Sequence, residues 1–572
     1  ESVSQTFNSS LTTVSPAGTP GARDYVFKEY AGFIQDDWRI RPNLTLNLGL
    51  RYEISPGPQE GNGYQAVLDQ ASKINTSATI SNFKVLQSNS WYSTDFKDFA
   101  PRAGFAWDPF ESGTLVIRGS YGIYYDRLIG AVTNFLDQNS YGFSQNVALY
   151  PNSAGADLRI SDGIPLPTQP SSPLLQPAMT RSSSIAVLNP NLRTPRVDQY
   201  HFTLEKRLFG AFLEAGYVGT RGRRLFQYVN LNQTKTNGDF LQAFQQLQAY
   251  RASGTPVPAS NTLVQLFGSP ITALNAIGGF VVDTGQAGLA ADTVDRNYYA
   301  NYAAAQVSNF YIRNFPQFNQ FLYGSSSADS WYNALQLGVR KSTKNYGLRA
   351  YYTWSKSLDT ISSNGDTFVT PSDSLNPAFN RAPSDFDRRR VVNTAFNYAI
   401  PFGRNPSSDS DRPKWMDAAL GGWNLGVLYV WESGARFSVS SGLQNQYAGV
   451  IGLADLTGSR KIGSLYQDSG GIIHWFSPQE ASQFAYPVAG EIPSSGRNTF
   501  VGPGYSRLDV VLQKRYLVNE NRNLQLRIEA FNVLNSAQFA NPDTNLYDRN
   551  FGIITSTQGN SRQIQVSLRY HF

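Results

Sequence analysis

The last twelve residues, "SRQIQVSLRYHF", alternate polar and apolar side chains without a break from Gln563 to Phe572. A period of 2 belongs to a β-strand, because successive side chains leave the backbone on opposite sides of a sheet. Ile564, Val566, Leu568, Tyr570 and Phe572 therefore share one face, and Gln563, Gln565, Ser567, Arg569 and His571 the other. In "NLTLNLGLRYE" the residues Leu44, Leu46, Leu48, Leu50 and Tyr52 likewise oppose Thr45, Asn47, Gly49, Arg51 and Glu53. The stretches "TLVIRGSYGIYY", "WYNALQLGVRK", "YGLRAYYTWSKS" and "LQLRIEAFN" repeat the pattern. About thirteen such segments are predicted, at 29–39, 44–54, 99–108, 114–125, 199–207, 211–220, 330–341, 346–358, 387–400, 423–433, 506–516, 524–532 and 562–572. The chain is thus expected to be all-β and antiparallel, with strands long enough to cross a bilayer at a tilt.

A strand that is apolar on one face needs something apolar to meet: the core of a soluble sandwich, or lipid around a transmembrane barrel. Composition separates the two. Charged residues make up only 16% of the chain, low for a water-facing surface, while aromatics reach 13%. Mean hydropathy is nevertheless negative, at -0.34. No apolar run approaches the roughly 18 residues of a membrane helix. A barrel reconciles these facts, since each strand shows lipid only half of its residues. With Cys 0 there is neither a disulfide framework nor a thiolate metal site, and the formal charge of +6 is dispersed, with no basic stripe for nucleic acid.

The links agree. Tight connections ("RPN", "PFESG", "LFGA", "STKNYG", "LVNENRN") alternate with long stretches at about 55–98, 126–198, 221–329, 359–386, 434–505 and 533–561, with 401–422 intermediate. Short periplasmic turns and long outer loops have this asymmetry. Within the longest loop, 239–254 has helical spacing and is predicted as a short helix. Trp38, Tyr52, Tyr124, Tyr125, Trp354, Trp431, Tyr516 and Phe572, near strand ends, are candidates for the interfacial aromatic girdles. If the last strand descends to the periplasm, so does the first of thirteen, and an odd set beginning outside cannot be the usual even-numbered closed barrel. Further strands are expected upstream.

Several stretches taken together resemble the C-terminal barrel half of a TonB-dependent outer-membrane receptor of the Oar-like kind, which carries a carboxypeptidase-regulatory-like domain. They are "EYAGFIQDDWRIRPNLTLNLGLRYE", "FAPRAGFAWDPF", "NPNLRTPRVDQYHFTLEKRL", "WYNALQLGVRKSTKNYGLRAYYTWSKSLD", "SDFDRRRVVNTAFNYAIPFG", "GGWNLGVLYVWESGARFSV", "GRNTFVGPGYSRLDVVLQKRY" and the closing "LRIEAFNVLN" with "RQIQVSLRYHF". They run in order from about residue 29 to the end. The resemblance implies residence in the outer membrane of a diderm bacterium and a 22-strand barrel around a plug, of which about nine strands, the plug and the regulatory-like domain lie outside this chain. It makes 29–572 the C-terminal part of the barrel and 1–28 an extracellular or partial segment. The implied partners are outer-membrane lipid and lipopolysaccharide, the barrel-assembly machinery, a TonB energy complex reached through the N-terminal region, and a scarce or large solute such as a chelate, glycan, peptide or protein. A surface-binding barrel without transport and a passive porin are the alternatives.

Site residues follow from parity. Ile564, Val566, Leu568, Tyr570 and Phe572 form the expected membrane-assembly strand, and the terminal Phe572 resembles an aromatic insertion signal. Arg51, Arg118, Glu205, Arg349, Arg527, Glu529 and Arg569 are candidate lumen lining. Catalysis is not expected: the three histidines, His201, His474 and His571, lie far apart in sequence, and no G-x-S-x-G stands in the chain. No cofactor is expected, and acid pairs such as Asp36 with Asp37, or Asp409 with Asp411, lack the spacing of a calcium loop, so no metal site is assigned. The charge run "DFDRRR" (385–390) is read as self-paired at a strand start, the alternative being a rim patch for anionic lipopolysaccharide.

Overall fold

The computed structural model describes residues 2–16, 22–128, 130–138, 143–148, 175–362, 372–402, 415, 419–517 and 522–572. Thirteen long strands form one antiparallel sheet in strict chain order. They are β1 (Tyr30–Arg41), β2 (Leu44–Ile54), β3 (Asp98–Trp107), β4 (Leu115–Tyr125), β5 (Arg196–Leu208), β6 (Ala211–Asn230), β7 (Phe318–Ser342), β8 (Tyr346–Asp359), β9 (Arg390–Ala399), β10 (Trp423–Glu432), β11 (Tyr505–Leu517), β12 (Asn523–Phe531) and β13 (Gln563–His571). Every segment predicted from alternation is present. At the sheet edges, β1 pairs only with β2 and β13 only with β12 among the described residues.

Register carries one apolar face across the whole sheet. Leu46 stands between Trp38 and Phe105, Leu204 between Ile117 and Ala215, and Leu337 between Ala215 and Tyr352. Leu512 stands between Leu425 and Ile528, and Ile528 faces Val566. These side chains are half-exposed or exposed: Leu337 is 42% exposed, and on the edge strand Ile564, Val566 and Leu568 are 65%, 63% and 66% exposed. The opposite face pairs Asn47 with Asp37, and Gln513 with Asn424 and Arg527. A sandwich would bury the apolar face against a second sheet, and among the described residues no second sheet packs there. At about 25 cal/mol per Å2, leaving such a face in water would cost many kcal/mol, so acyl chains are its solvent. On this account Leu512→Arg costs about 2–4 kcal/mol at the bilayer midplane. Gln513→Glu, one residue on and facing Arg527, changes stability by less than about 0.5 kcal/mol. Urea unfolding of the two variants in lipid vesicles checks the contrast.

Glycines opposite aromatic rings recur in the sheet. A Cβ at Gly219 would lie 2.1 Å from the Tyr200 ring, directly across the β5–β6 pair, and one at Gly119 would lie 2.5 Å from Phe105 across β3–β4. The ring lies over the glycine and covers its backbone. Gly219→Val therefore forces Tyr200 away from Asn333, to which its hydroxyl donates at 3.2 Å, and costs about 1–3 kcal/mol by overpacking. The same unfolding measurement detects it, and Gly219→Ala gives a smaller loss. At the β5–β6 turn, Phe209 and Gly210 both have positive φ, 50° and 72°. That is the geometry of a two-residue type I′ hairpin.

The apolar cores lie outside the sheet's span, in the long loops. β7 has 25 residues and β6 has 20, whereas about 9–11 residues cross the membrane. Their outer ends form a projecting hairpin, joined by the parallel strand Ser183–Leu188. Phe83 and Phe315 pack against its Phe318 and Phe321. A second cluster gathers Phe437, Phe476, Phe484 and Phe500 from the loop after β10.

The loop between β6 and β7 holds a five-helix cap: α1 (Gly238–Ser253), α2 (Thr262–Phe267), α3 (Pro270–Ile277), α4 (Gly279–Asp283) and α5 (Ala287–Tyr298). The predicted helix at 239–254 is α1. Asn261 caps α2 by accepting from the Val264 amide, and Ser269 caps α3 by accepting from Thr272, with Pro270 in the first turn. Phe244, Leu247, Leu263 and Ala291 form its core. A buried ionic knot ties the cap down: Asp295 on α5 pairs with Arg181 at 3.2 Å and Arg313 at 2.8 Å, Asp292 also pairs with Arg313, and the Tyr302 hydroxyl donates to Asp295 at 2.9 Å. Burial, with the Asp295 carboxylate beside it, drives the Tyr302 phenol well above its ordinary pKa.

Candidate functional site

The candidate site is the polar face of the sheet and the loop cap at its outer end. Arg51, Arg118, Glu205, Arg349, Arg527, Glu529 and Arg569 all fall on the polar face, as parity placed them. Register joins them through Arg51 opposite Ala100, Arg118 opposite Thr203, Glu205 opposite Glu214, Arg349 opposite Arg340, Glu529 opposite Gln565, and Arg569 opposite Gln525. They do not converge on one point. Glu205 gathers two guanidiniums, Arg340 at 3.0 Å and Arg118 at 3.6 Å. Arg527 pairs with Glu529 at 2.6 Å, and Arg51 with Glu53. Among the described residues Arg349 and Arg569 have no carboxylate partner. The face is therefore a spread of mostly neutralised charge, suited to water.

A hollow of about 770 Å3 opens on this face, lined by Arg349, Tyr351, Asn393, Leu428, Glu432 and Arg507. Tyr351 and Leu428 make part of it apolar, a feature that strict alternation does not foresee. Tyr124 also lies on the polar face, with the Arg102 guanidinium 4.5 Å from its ring centre. It is thus not one of the lipid-facing girdle rings. Trp38, Tyr52, Tyr125, Trp354, Trp431 and Tyr516 lie on the apolar face.

The remaining polar motifs are accounted for by pairing. The run "DFDRRR" is not self-paired as expected, because its charges find partners on neighbouring strands and loops: Asp387 accepts from the Ser357 amide at 2.8 Å and pairs with Arg436 at 3.2 Å, while Asp385 accepts from Asn498 at 2.5 Å and lies 3.5 Å from Arg497. Arg388 reaches Glu432 at 3.5 Å. Asp37 accepts from Asn47 at 2.6 Å, and Asp36 points to the apolar side. Asp409 and Asp411 lie outside the described residues. His201 contacts Ser120 at 2.7 Å, His474 pairs with Asp468 at 3.2 Å in an outer loop, and His571 ends β13, so the three stand on separate elements. In that outer loop, hydrogen bonds from the Ile472 amide and His474 hold the Asp468 carboxyl below its usual range. Among the described residues no group of three or more His, Asp or Glu is placed to hold a metal, and no helix is long and apolar enough to cross a membrane.

A one-layer meander, apolar and uncovered outside, polar inside, with tight turns at one end and packed loops at the other, defines an outer-membrane β-barrel protein. The family model described as outer membrane beta barrel domain matches residues 5–565, and the chain belongs to that family. Its place is the outer membrane of a Gram-negative bacterium.

No curated protein matches the sequence. Solved structures similar to it include the outer membrane transporter YddB from Escherichia coli, 10% identical, covering 96% of this chain and 54% of that one with a TM-score of 0.40. The siderophore receptor PiuA from Acinetobacter baumannii is 12% identical, with 96% and 44% covered and a TM-score of 0.39. The ferripyoverdine receptor of Pseudomonas aeruginosa is 10% identical, with 97% and 40% covered and a TM-score of 0.39. The chain spans about half the length of these proteins or less.

Proposed function

We propose that the chain is the C-terminal part of the barrel of a TonB-dependent receptor of the Oar-like kind, which binds a scarce or large solute at its outer loops and moves it through a plug-gated lumen. The observation that carries this reading is the open sheet. Thirteen strands lie in order with both edges unpaired among the described residues, and unpaired edges are not tolerated in hydrocarbon. Additional strands close the cylinder, and a barrel of about 22 strands is wide enough to need a plug. The protein is proposed to be a carrier and not an enzyme, with lipid and lipopolysaccharide around the barrel, the assembly machinery at β13 and the TonB complex at the plug.

The test is uptake by cells expressing the complete gene, with and without TonB. Accumulation of a ligand identified by profiling should stop when TonB is removed, while surface binding persists. Equal accumulation without TonB contradicts the proposal. The packed loop cap favours a second reading, a surface-binding barrel without transport; binding without any accumulation in either strain would select it.

A further inference from the structure

Between the cap and the mouth of the sheet lies a cavity of about 210 Å3, walled by α5, the outer ends of β6 and β7, and the loop at 444–449. Apart from Gln320 Oε1, its side-chain oxygens are already engaged. Asn230 Oδ1 accepts from the backbone amides of Asn232 at 3.0 Å and Phe321 at 3.1 Å. Gln444 Oε1 accepts from the Gly449 amide at 2.6 Å, and Thr234 Oγ1 from the Ala448 amide at 3.0 Å. Asn319 Oδ1 accepts from Arg313 at 3.0 Å, and Asp292 is paired with Arg313. A backbone N–H can only donate, so the amides of Asn230 and Gln444 have their oxygens fixed on the protein side and their NH2 groups left over.

The unspent groups are therefore donors, with Gln320 Oε1 as the one amide oxygen left over. Among the described residues, the NH2 groups of Asn230, Asn319 and Gln444 make no hydrogen bond, nor does the Gln320 amide. Arg296, with 45% of its side chain exposed, has only a long 3.5 Å contact with Asp292. Formal charge on the lining is also one-sided: Arg296 and Arg313 against Asp292. A donor-lined hollow with one excess positive charge complements a single negative charge spread over acceptor oxygens. The volume holds on the order of seven waters, which is the size of a monosaccharide or small organic acid.

We infer that this cavity is a binding site for a compact monocarboxylate, either free or as the acidic end group of a larger cargo, with Arg296 as its guanidinium fork. This deepens the receptor reading and borrows from it only the position at the outer mouth. Binding at equilibrium needs no energy coupling, so a failure of TonB-dependent uptake leaves this inference standing.

The test is calorimetric titration of the purified complete protein in detergent with D-galacturonate, L-lactate, D-galactose and inorganic phosphate, and with a galacturonate oligomer for the end-group case. The expected result is saturable binding of at least one carboxylate, at least tenfold tighter than D-galactose or phosphate. Arg296→Ala and Gln320→Leu should each weaken it, the former by tenfold or more, with the cap's protease resistance unchanged. Binding of the oligomer alone assigns the end-group source. The inference is overturned if no carboxylate binds, if galactose or phosphate binds as tightly, or if Arg296→Ala, still protease-resistant, binds as the parent does.

Discussion

A protein lacking Tyr570–Phe572 is expected to be absent from the outer membrane as a folded barrel, with no heat-modifiable species on a gel and accumulation of degraded chain instead. These residues close β13, where Tyr570 stands opposite Leu524 and His571 opposite Asn523. Phe572 is 95% exposed, with its ring stacked on Tyr570 at 6.4 Å, so it is presented outward and not consumed by packing. Removing them withdraws the outer half of a cross-strand pair and shortens a nine-residue strand below the about 9–11 residues that span a bilayer. A normal heat-modifiable band from the truncated protein would show that the C-terminal strand does not direct assembly.

Asp295→Ala is expected to open the cap while leaving the barrel folded. Asp295 is fully buried and holds two guanidiniums whose side chains are themselves only 1% and 2% exposed. Deleting one member of a buried ionic group leaves charge uncompensated and costs about 3–5 kcal/mol. That is comparable to the stability of a small folded unit, and the cap's core is drawn from its own helices and the segment that follows them, Tyr302 and Ile312, with Ala489 as the one contribution from a distant loop. Limited proteolysis should cut within 238–301, while the sheet still runs as a heat-modifiable species. Asp295→Asn, which keeps the shape and can still accept from Tyr302, should cost less. Loss of both the cap and the barrel together would mean that the two are one cooperative unit.

How far the sequence could be read depended on what each region packs against. Lipid and water are continuous solvents, so a barrel strand must alternate along its length, and the pattern from Gln563 to Phe572 is visible without any knowledge of neighbours. The same holds for the placement of Arg118, Glu205 and Arg527. The loops follow a different rule. Phe83 meets Phe315, Phe318 and Phe321 across more than two hundred residues, and nothing periodic announces such a contact. Tyr124 was misassigned because both it and Tyr125 end a strand, and parity alone separates them. For α2 and α3 the signal was present: Asn261 three residues before Val264, and Ser269 followed by Pro270, are start marks for short helices. Segments of six and eight residues carry too few turns for the apolar stripe to stand out beside them. The cavity under α5 could not be foreseen, because its chemistry depends on which amide oxygens are already occupied.

The central claim is that alternate residues of each strand meet acyl chains and water. It is tested most directly by nitroxide scanning of β11, with single spin labels at positions 507 to 513 in the complete protein in lipid vesicles. Collision rates with oxygen, which concentrates in lipid, should peak at Leu508, Val510 and Leu512, and those with a water-soluble nickel chelate at Arg507, Asp509, Val511 and Gln513. Rates that are low for both reagents at the even positions would place those side chains in a dry protein core and contradict the account.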